Sequence, residues 1–144
     1  MLLNISSDYS SKKAKIDKEV GKAFNLDQRK NLDGISLKEI PISAASIDLY
    51  NLLTLNENQS FCTIEMRPGG ILISFTSINE VFCLVIPYHK LKIYKGRAEE
   101  YSFYRDNSFL KIRAGKQDLE IHAFVRKIRR FKSDNAPTRI EDLL

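Results

Sequence analysis

Over residues 61–67 the chain alternates: Cys62, Ile64 and Met66 fall on one face, Thr63, Glu65 and Arg67 on the other, which is the period of a strand. Pro68-Gly69-Gly70 supplies a turn, because glycine accepts the positive φ of tight hairpins, and Ile71, Ile73 and Phe75 carry the return strand. A reversal at Thr76-Ser77-Ile78-Asn79 leads into residues 81–86, apolar at every position, which predicts a central strand covered on both faces. Pro87 cannot donate a ladder hydrogen bond, so a bend or bulge is expected before Leu91, Ile93 and Lys95 continue as another strand. Residues 101–105 and 108–113 flank the turn-forming pair Asp106-Asn107. On the second arm Leu110, Ile112 and Ala114 face one way, and Phe109, Lys111 and Arg113 the other.

The period then lengthens. Ile121, Phe124, Val125, Ile128 and Phe131, spaced by three and four, predict an amphipathic helix over residues 115–132 that covers an open sheet face or plugs one end of a barrel. The expected fold class is therefore α+β: a strongly bent antiparallel sheet or partial barrel, closed by a C-terminal amphipathic helix and preceded by N-terminal helical segments.

The first 59 residues carry weaker signals. Residues 12–25 place Ile16, Val20 and Phe24 four apart, the narrow stripe of a docked helix. Asn31-Leu32-Asp33-Gly34 is a turn signal, and Ile35 and Leu37, alternating with polar residues as far as Pro41, predict a short edge strand. Residues 46–55 read as a helix with Ser46 as N-cap and Asp48 in the first turn, and residues 56–60 as a loop. The expected organisation is a helical or irregular segment at 1–59 packed on the same domain, the sheet and closing helix at 60–132, and a tail at 133–144. In that tail Thr138-Arg139-Ile140-Glu141 reads either as a capping box for a short terminal turn or as part of a mobile end.

At 144 residues, 43% hydrophobic and 28% charged, the chain suits one folded domain and not a disordered segment. Cys62 and Cys83 lie inside apolar runs and read as reduced, structural thiols. Neither a signal peptide nor an apolar run of the roughly 18 residues a membrane span requires is evident, and the expected location is the cytoplasm. The net charge of +5 is uneven: residues 1–59 hold eight basic and eight acidic side chains, while residues 85–132 hold thirteen basic against five acidic. Such a field attracts anions of any kind, whether an anionic ligand, an acidic protein surface or a nucleic acid.

Candidate chemistry is sparse. His89, His122, Cys62 and Cys83 are suitable zinc ligands, but no two share a ligand-like spacing, and no metal or cofactor is expected. A Cys83–His89 nucleophilic pair would bury its thiol among apolar residues, which opposes thiolate formation. The acidic pairs Glu99-Glu100 and Glu141-Asp142 lie in solvated stretches and lack the contrasting environments that acid–base work requires. Neither a P-loop nor a dinucleotide fingerprint is present. No catalytic residue is expected. The last helix has five basic residues in seven positions, and on a helical wheel Arg126, Arg129 and Arg130 fall away from the apolar stripe. They read either as a solvated helix back favoured by the helix dipole, or, with Lys111 and Arg113 on the preceding strand, as an anion or partner contact surface. Tyr104 and Phe109 would add aromatic faces suited to stacking. Arg67, Tyr88 and His89 are the polar residues of a possible pocket inside the bent sheet.

Short strands with a mid-sheet hairpin, ending in one amphipathic helix over residues 61–132, resemble the pleckstrin-homology-like barrel, in which a C-terminal helix caps a strongly bent antiparallel sheet. That resemblance implies seven strands, so one or two must come from residues 30–58. Modules of this kind that bind phosphoinositides carry several basic residues around their first hairpin loop. The corresponding turn here has Arg67 alone before Pro68-Gly69-Gly70, so no lipid-binding residues carry over. Residues 64–71 and 85–91 are also similar to small uncharacterised bacterial proteins, a likeness that implies no function. The leading expectation is a non-catalytic binding or scaffolding module with a basic contact face. The alternatives are a nucleic-acid-associated protein using that face and a small-ligand pocket or enzyme inside the sheet. An unpaired edge strand would offer a route to a homo-oligomer.

Overall fold

In a computed structural model that describes residues 1–32, 34–56, 59–97 and 99–134, the alternating stretches become strands in the expected order. The elements are β1 (Leu2–Asn4), α1 (Tyr9–Val20), α2 (Leu26–Leu32), β2 (Ser36–Ala45), α3 (Ile47–Leu53), β3 (Phe61–Arg67), β4 (Gly70–Ser77), β5 (Glu80–Pro87), β6 (Leu91–Gly96), β7 (Glu100–Arg105), β8 (Ser108–Arg113) and α4 (Leu119–Asp134). The strands among the described residues pair antiparallel in the order β1-β5-β4-β3-β2-β8-β7-β6. The sheet is not closed: β1 and β6 are its two edges.

Two expectations about the first 59 residues are corrected. The short edge strand ending at Pro41 is in fact β2, a ten-residue strand at the centre of the sheet. Its first part pairs with β3 as far as Pro41↔Phe61, and its second part pairs with β8 from Ile42↔Ile112 onward. Proline has no N–H for a ladder, and it sits here where the strand passes from one neighbour to the other. A register shift between Leu37 and Ile40, with Glu39 at φ 55°, bends the strand ahead of that transfer. The N-terminus also supplies β1, which pairs with β5 through Leu2↔Leu84 to Asn4↔Phe82. The segment 1–59 is thus not merely helical or irregular. The 56–60 loop and the Asn31–Gly34 turn lie partly outside the described residues, and the Thr138-Arg139-Ile140-Glu141 turn wholly so.

The main core lies on the sheet face that carries Ile64, Ile73, Ile86, Phe103, Leu110 and Ile112. Leu49 of α3 and Phe124, Val125 and Ile128 of α4 pack into it, so the α4 stripe covers an open sheet face. Burying each large side chain contributes on the order of 1.5–3 kcal/mol before the entropy of ordering is subtracted. A smaller cluster joins Ile16 and Val20 of α1 to Leu72, Cys83 and Val85. Strand β5 is therefore covered on both faces, as its unbroken apolar run requires: Leu84 and Ile86 face one cluster, Cys83 and Val85 the other.

The Pro68-Gly69-Gly70 turn meets the end of α1. The Gly69 amide donates to the Val20 carbonyl at 2.8 Å, and the Tyr88 amide donates to the Gly69 carbonyl at 2.9 Å. A Cβ on Gly70 would sit 2.5 Å from Val20 Cγ1 and 2.7 Å from Pro87 Cα. Close approach, and not the positive φ expected for the turn, is what requires glycine at this position.

Candidate functional site

Helix α4 begins at a local hydrogen-bond knot. The Asp118 carboxylate accepts from the Gly115 amide at 2.9 Å, and the Asp118 carbonyl accepts the first helical bond, from the His122 amide at 3.2 Å. His122 Nε2 lies 2.8 Å from the Gly115 carbonyl, which can only accept, so Nε2 carries a hydrogen. Its Nδ1 meets the Tyr101 hydroxyl at 2.6 Å. His122 is thus a half-buried bridge from α4 to β7.

The cations that follow divide into two sets. Lys127 donates to the carbonyls of Leu32 and Gly34, and Lys132 donates to the Tyr88 carbonyl at 3.1 Å. Both hold α4 to neighbouring loops. The side chains of Arg126, Arg129 and Arg130 are exposed and make no hydrogen bond or ion pair with any described residue. Lys111 and Arg113 alternate with the core residues Leu110 and Ile112 along β8, so they leave the face opposite the one on which α4 packs. The five basic residues singled out in the sequence thus form two surfaces: three arginines on the back of α4, and Lys111 with Arg113 on the reverse of the sheet.

That reverse face has aromatic neighbours. Tyr94 meets Tyr104 edge-on at 5.3 Å, Tyr104 packs on Phe109 at 4.9 Å, and Lys111 Nζ stands 5.5 Å over the Phe109 ring. Lys92 pairs with Tyr104 across β6 and β7 and shares this face.

Arg67, Tyr88 and His89 do not combine. The Arg67 guanidinium is buried and engaged, with Nε 2.6 Å from Glu65 and Nη1 3.1 Å from Asp17 and 2.9 Å from the Gly21 carbonyl. Tyr88 is buried, its hydroxyl donates to the Arg67 carbonyl at 3.0 Å, and burial pushes its pKa up. His89 is exposed and borders a separate surface cleft beside Lys15, Lys18, Lys90 and Arg105. Sequence reasoning missed this cleft, because its residues come from α1, the β5–β6 turn and the end of β7.

Both thiols are buried and free, and burial pushes Cys62 up to about 12 and Cys83 up to about 11. Neither is poised as a nucleophile. Among the described residues no three His, Cys, Asp or Glu side chains gather to hold a metal, and no helix is long and apolar enough to cross a membrane. No family model matches the chain, and no curated protein matches it.

Proposed function

We propose that this chain is a non-catalytic binding module of the pleckstrin-homology-like kind, which meets an acidic protein surface through the back of α4. The observation that carries the reading is the division of labour on that helix. Two of its cations are committed to backbone carbonyls, while Arg126, Arg129 and Arg130 are exposed and unpaired among the described residues. A helix seated by Phe124, Val125 and Ile128 presents three guanidinium groups on a backbone that is already ordered before binding. Support for the family likeness comes from the seven consecutive antiparallel strands β2–β8 and the helix that follows them, with the first strand drawn from residues 36–45. The connection between the first two of those strands, residues 46–60, contains no Lys or Arg. An acidic protein is therefore favoured over a phosphoinositide at that loop.

The test is titration of a polyglutamate peptide into the wild type and into R126E/R129E/R130E. The triple variant should keep its melting temperature, lose about tenfold or more in affinity, and lose the salt dependence of binding. Equal affinity in the two proteins would refute the reading.

The aromatic ladder on the reverse of the sheet favours a second reading, contact with single-stranded nucleic acid. Stacking on Tyr104 or Phe109 would contribute about 1–3 kcal/mol per base. Tyr104→Ala would then weaken oligonucleotide binding where the triple arginine variant does not.

A further inference from the structure

A cleft of about 410 Å³ opens on the side of the molecule where α1, the β5–β6 turn and the end of β7 meet. Lys15 and Lys18 enter it from α1, one helical turn apart; His89 and Lys90 enter from the turn, and Arg105 from β7. These residues are separated by up to ninety positions in the chain, so the cluster is a product of the fold and not of a local basic run.

The lining is predominantly basic. Glu19 is the acid lining the cleft, and it is engaged by Arg105 Nη1 at 2.7 Å. Asp106, the next residue in the β7–β8 turn, is the other acid nearby and is exposed. The ammonium groups of Lys15, Lys18 and Lys90 are exposed and have no hydrogen-bond or ion-pair partner among the described residues. Three lysines of one sign sharing a concavity repel one another, and that repulsion is relieved by an anion bound between them.

Arg105 adds a directional element. Its side chain is only 11% exposed, and Nη1 is held by Glu19 and by the Val85 carbonyl at 2.6 Å. No described residue accepts from its Nε or Nη2. A guanidinium oriented in this way, with donors left over, matches the tetrahedral oxygens of a phosphate group. The volume falls within the about 300–1,000 Å³ typical of small-ligand sites.

We propose that this cleft binds a phosphate-bearing ligand, with Arg105 as the oriented donor and Lys15, Lys18 and Lys90 neutralising its charge. The site is separate from the arginines of α4 and does not depend on their role. The phosphate could be carried by a soluble ester or by a lipid headgroup, since both present the same oxygens.

The experiment uses the full chain. Pyrophosphate is titrated calorimetrically, and in parallel the protein is sedimented with phosphatidylcholine vesicles carrying phosphatidylinositol phosphate. Binding is expected in at least one arm, weakened about tenfold or more in K15E/K18E/K90E. Pyrophosphate binding identifies a soluble ligand; binding to the vesicles without pyrophosphate binding identifies a headgroup. R105K, which keeps the charge and removes the fork, should also bind more weakly while its circular dichroism matches the wild type. The α4 variant R126E/R129E/R130E should bind in both arms as the wild type does, so that loss of the acidic-protein reading leaves this one standing. Absence of binding in both arms, or binding unchanged by K15E/K18E/K90E, overturns the proposal.

Discussion

The Arg67 guanidinium reaches the Asp17 carboxylate at 3.1 Å, tying β3 to the last turns of α1. The same nitrogen donates to the Gly21 carbonyl, and Nε meets Glu65, so one side chain fixes the helix, its exit and the strand. Arg67→Met removes this clasp but leaves two carboxylates that keep some contact with water, 17% and 29% exposed. The cost should be about 1–3 kcal/mol, below the roughly 3–5 kcal/mol of breaking a fully buried pair. Urea denaturation measures it, and a double-mutant cycle with Asp17→Asn isolates the pair. A cost near zero would mean that α1 is held by its apolar contacts alone.

Gly70→Ala should destabilise the protein by about 1–3 kcal/mol or more. The new methyl group would meet the Val20 side chain and the backbone of Ile86 and Pro87, and backbone cannot move aside cheaply. Thermal denaturation of the variant reads this directly. A neutral result would place α1 farther from the turn than described.

Ile128→Asp should be the most damaging of these substitutions. Ile128 is fully buried in the main core, and an unpaired carboxylate there has no compensating partner. A loss exceeding about 4 kcal/mol is expected, whereas charge reversal at Arg126, Arg129 and Arg130 should shift stability by less than about 1 kcal/mol. The contrast, followed by circular dichroism melting, separates the covered stripe of α4 from its exposed back.

Acid should weaken the fold through three carboxylates. Burial pushes Asp17, Glu19 and Asp48 up, but hydrogen bonds outweigh it and hold all three below their ordinary values: Lys13 and Arg67 on Asp17, Arg105 on Glu19, Ser108 and Ser46 on Asp48. A carboxyl group with a lowered folded pKa stabilises the protein above its unfolded pKa, roughly 4, and that stabilisation is lost as pH falls through the folded value. The melting temperature should therefore drop below about pH 4, and the drop should be shallower in Asp17→Asn. An unaltered acid limb in that variant would remove Asp17 from the account.

Strands β3–β8 and helix α4 were legible because their periods are unbroken and their turns carry Pro, Gly, Asn or Asp. Two features hid β2. Its bulge at Glu39 moves the pattern out of step, and Pro41 argues against a central strand unless the strand changes partners at that residue. Strand β1 is three residues long, too short for any period to register. Helix α2 was missed although its signal was present: the Asn25 side chain accepts from the Gln28 amide and the Gln28 side chain accepts from the Asn25 amide, a reciprocal cap readable as Asn-x-x-Gln. Ser46 does begin α3, but its hydroxyl bonds to Asp48 and to the backbone of Phe109, so it fastens the helix to β8 and does not cap its free amides. Among the candidate contacts, charge on α4 was visible, but the engagement of Lys127 and Lys132 was not, because their carbonyl acceptors lie elsewhere in the chain.

The transfer of β2 from one neighbour to another also constrains how the molecule can be made. Ile42 finds its ladder partner in Ile112, seventy residues later, so the middle of the sheet stays open until residue 112 has left the ribosome. Closing so large a loop is entropically costly and slow. Until β8 arrives, a nascent chain exposes an unpaired, partly apolar seam, and synthesis halted before residue 108 should yield aggregates and not a smaller native fold.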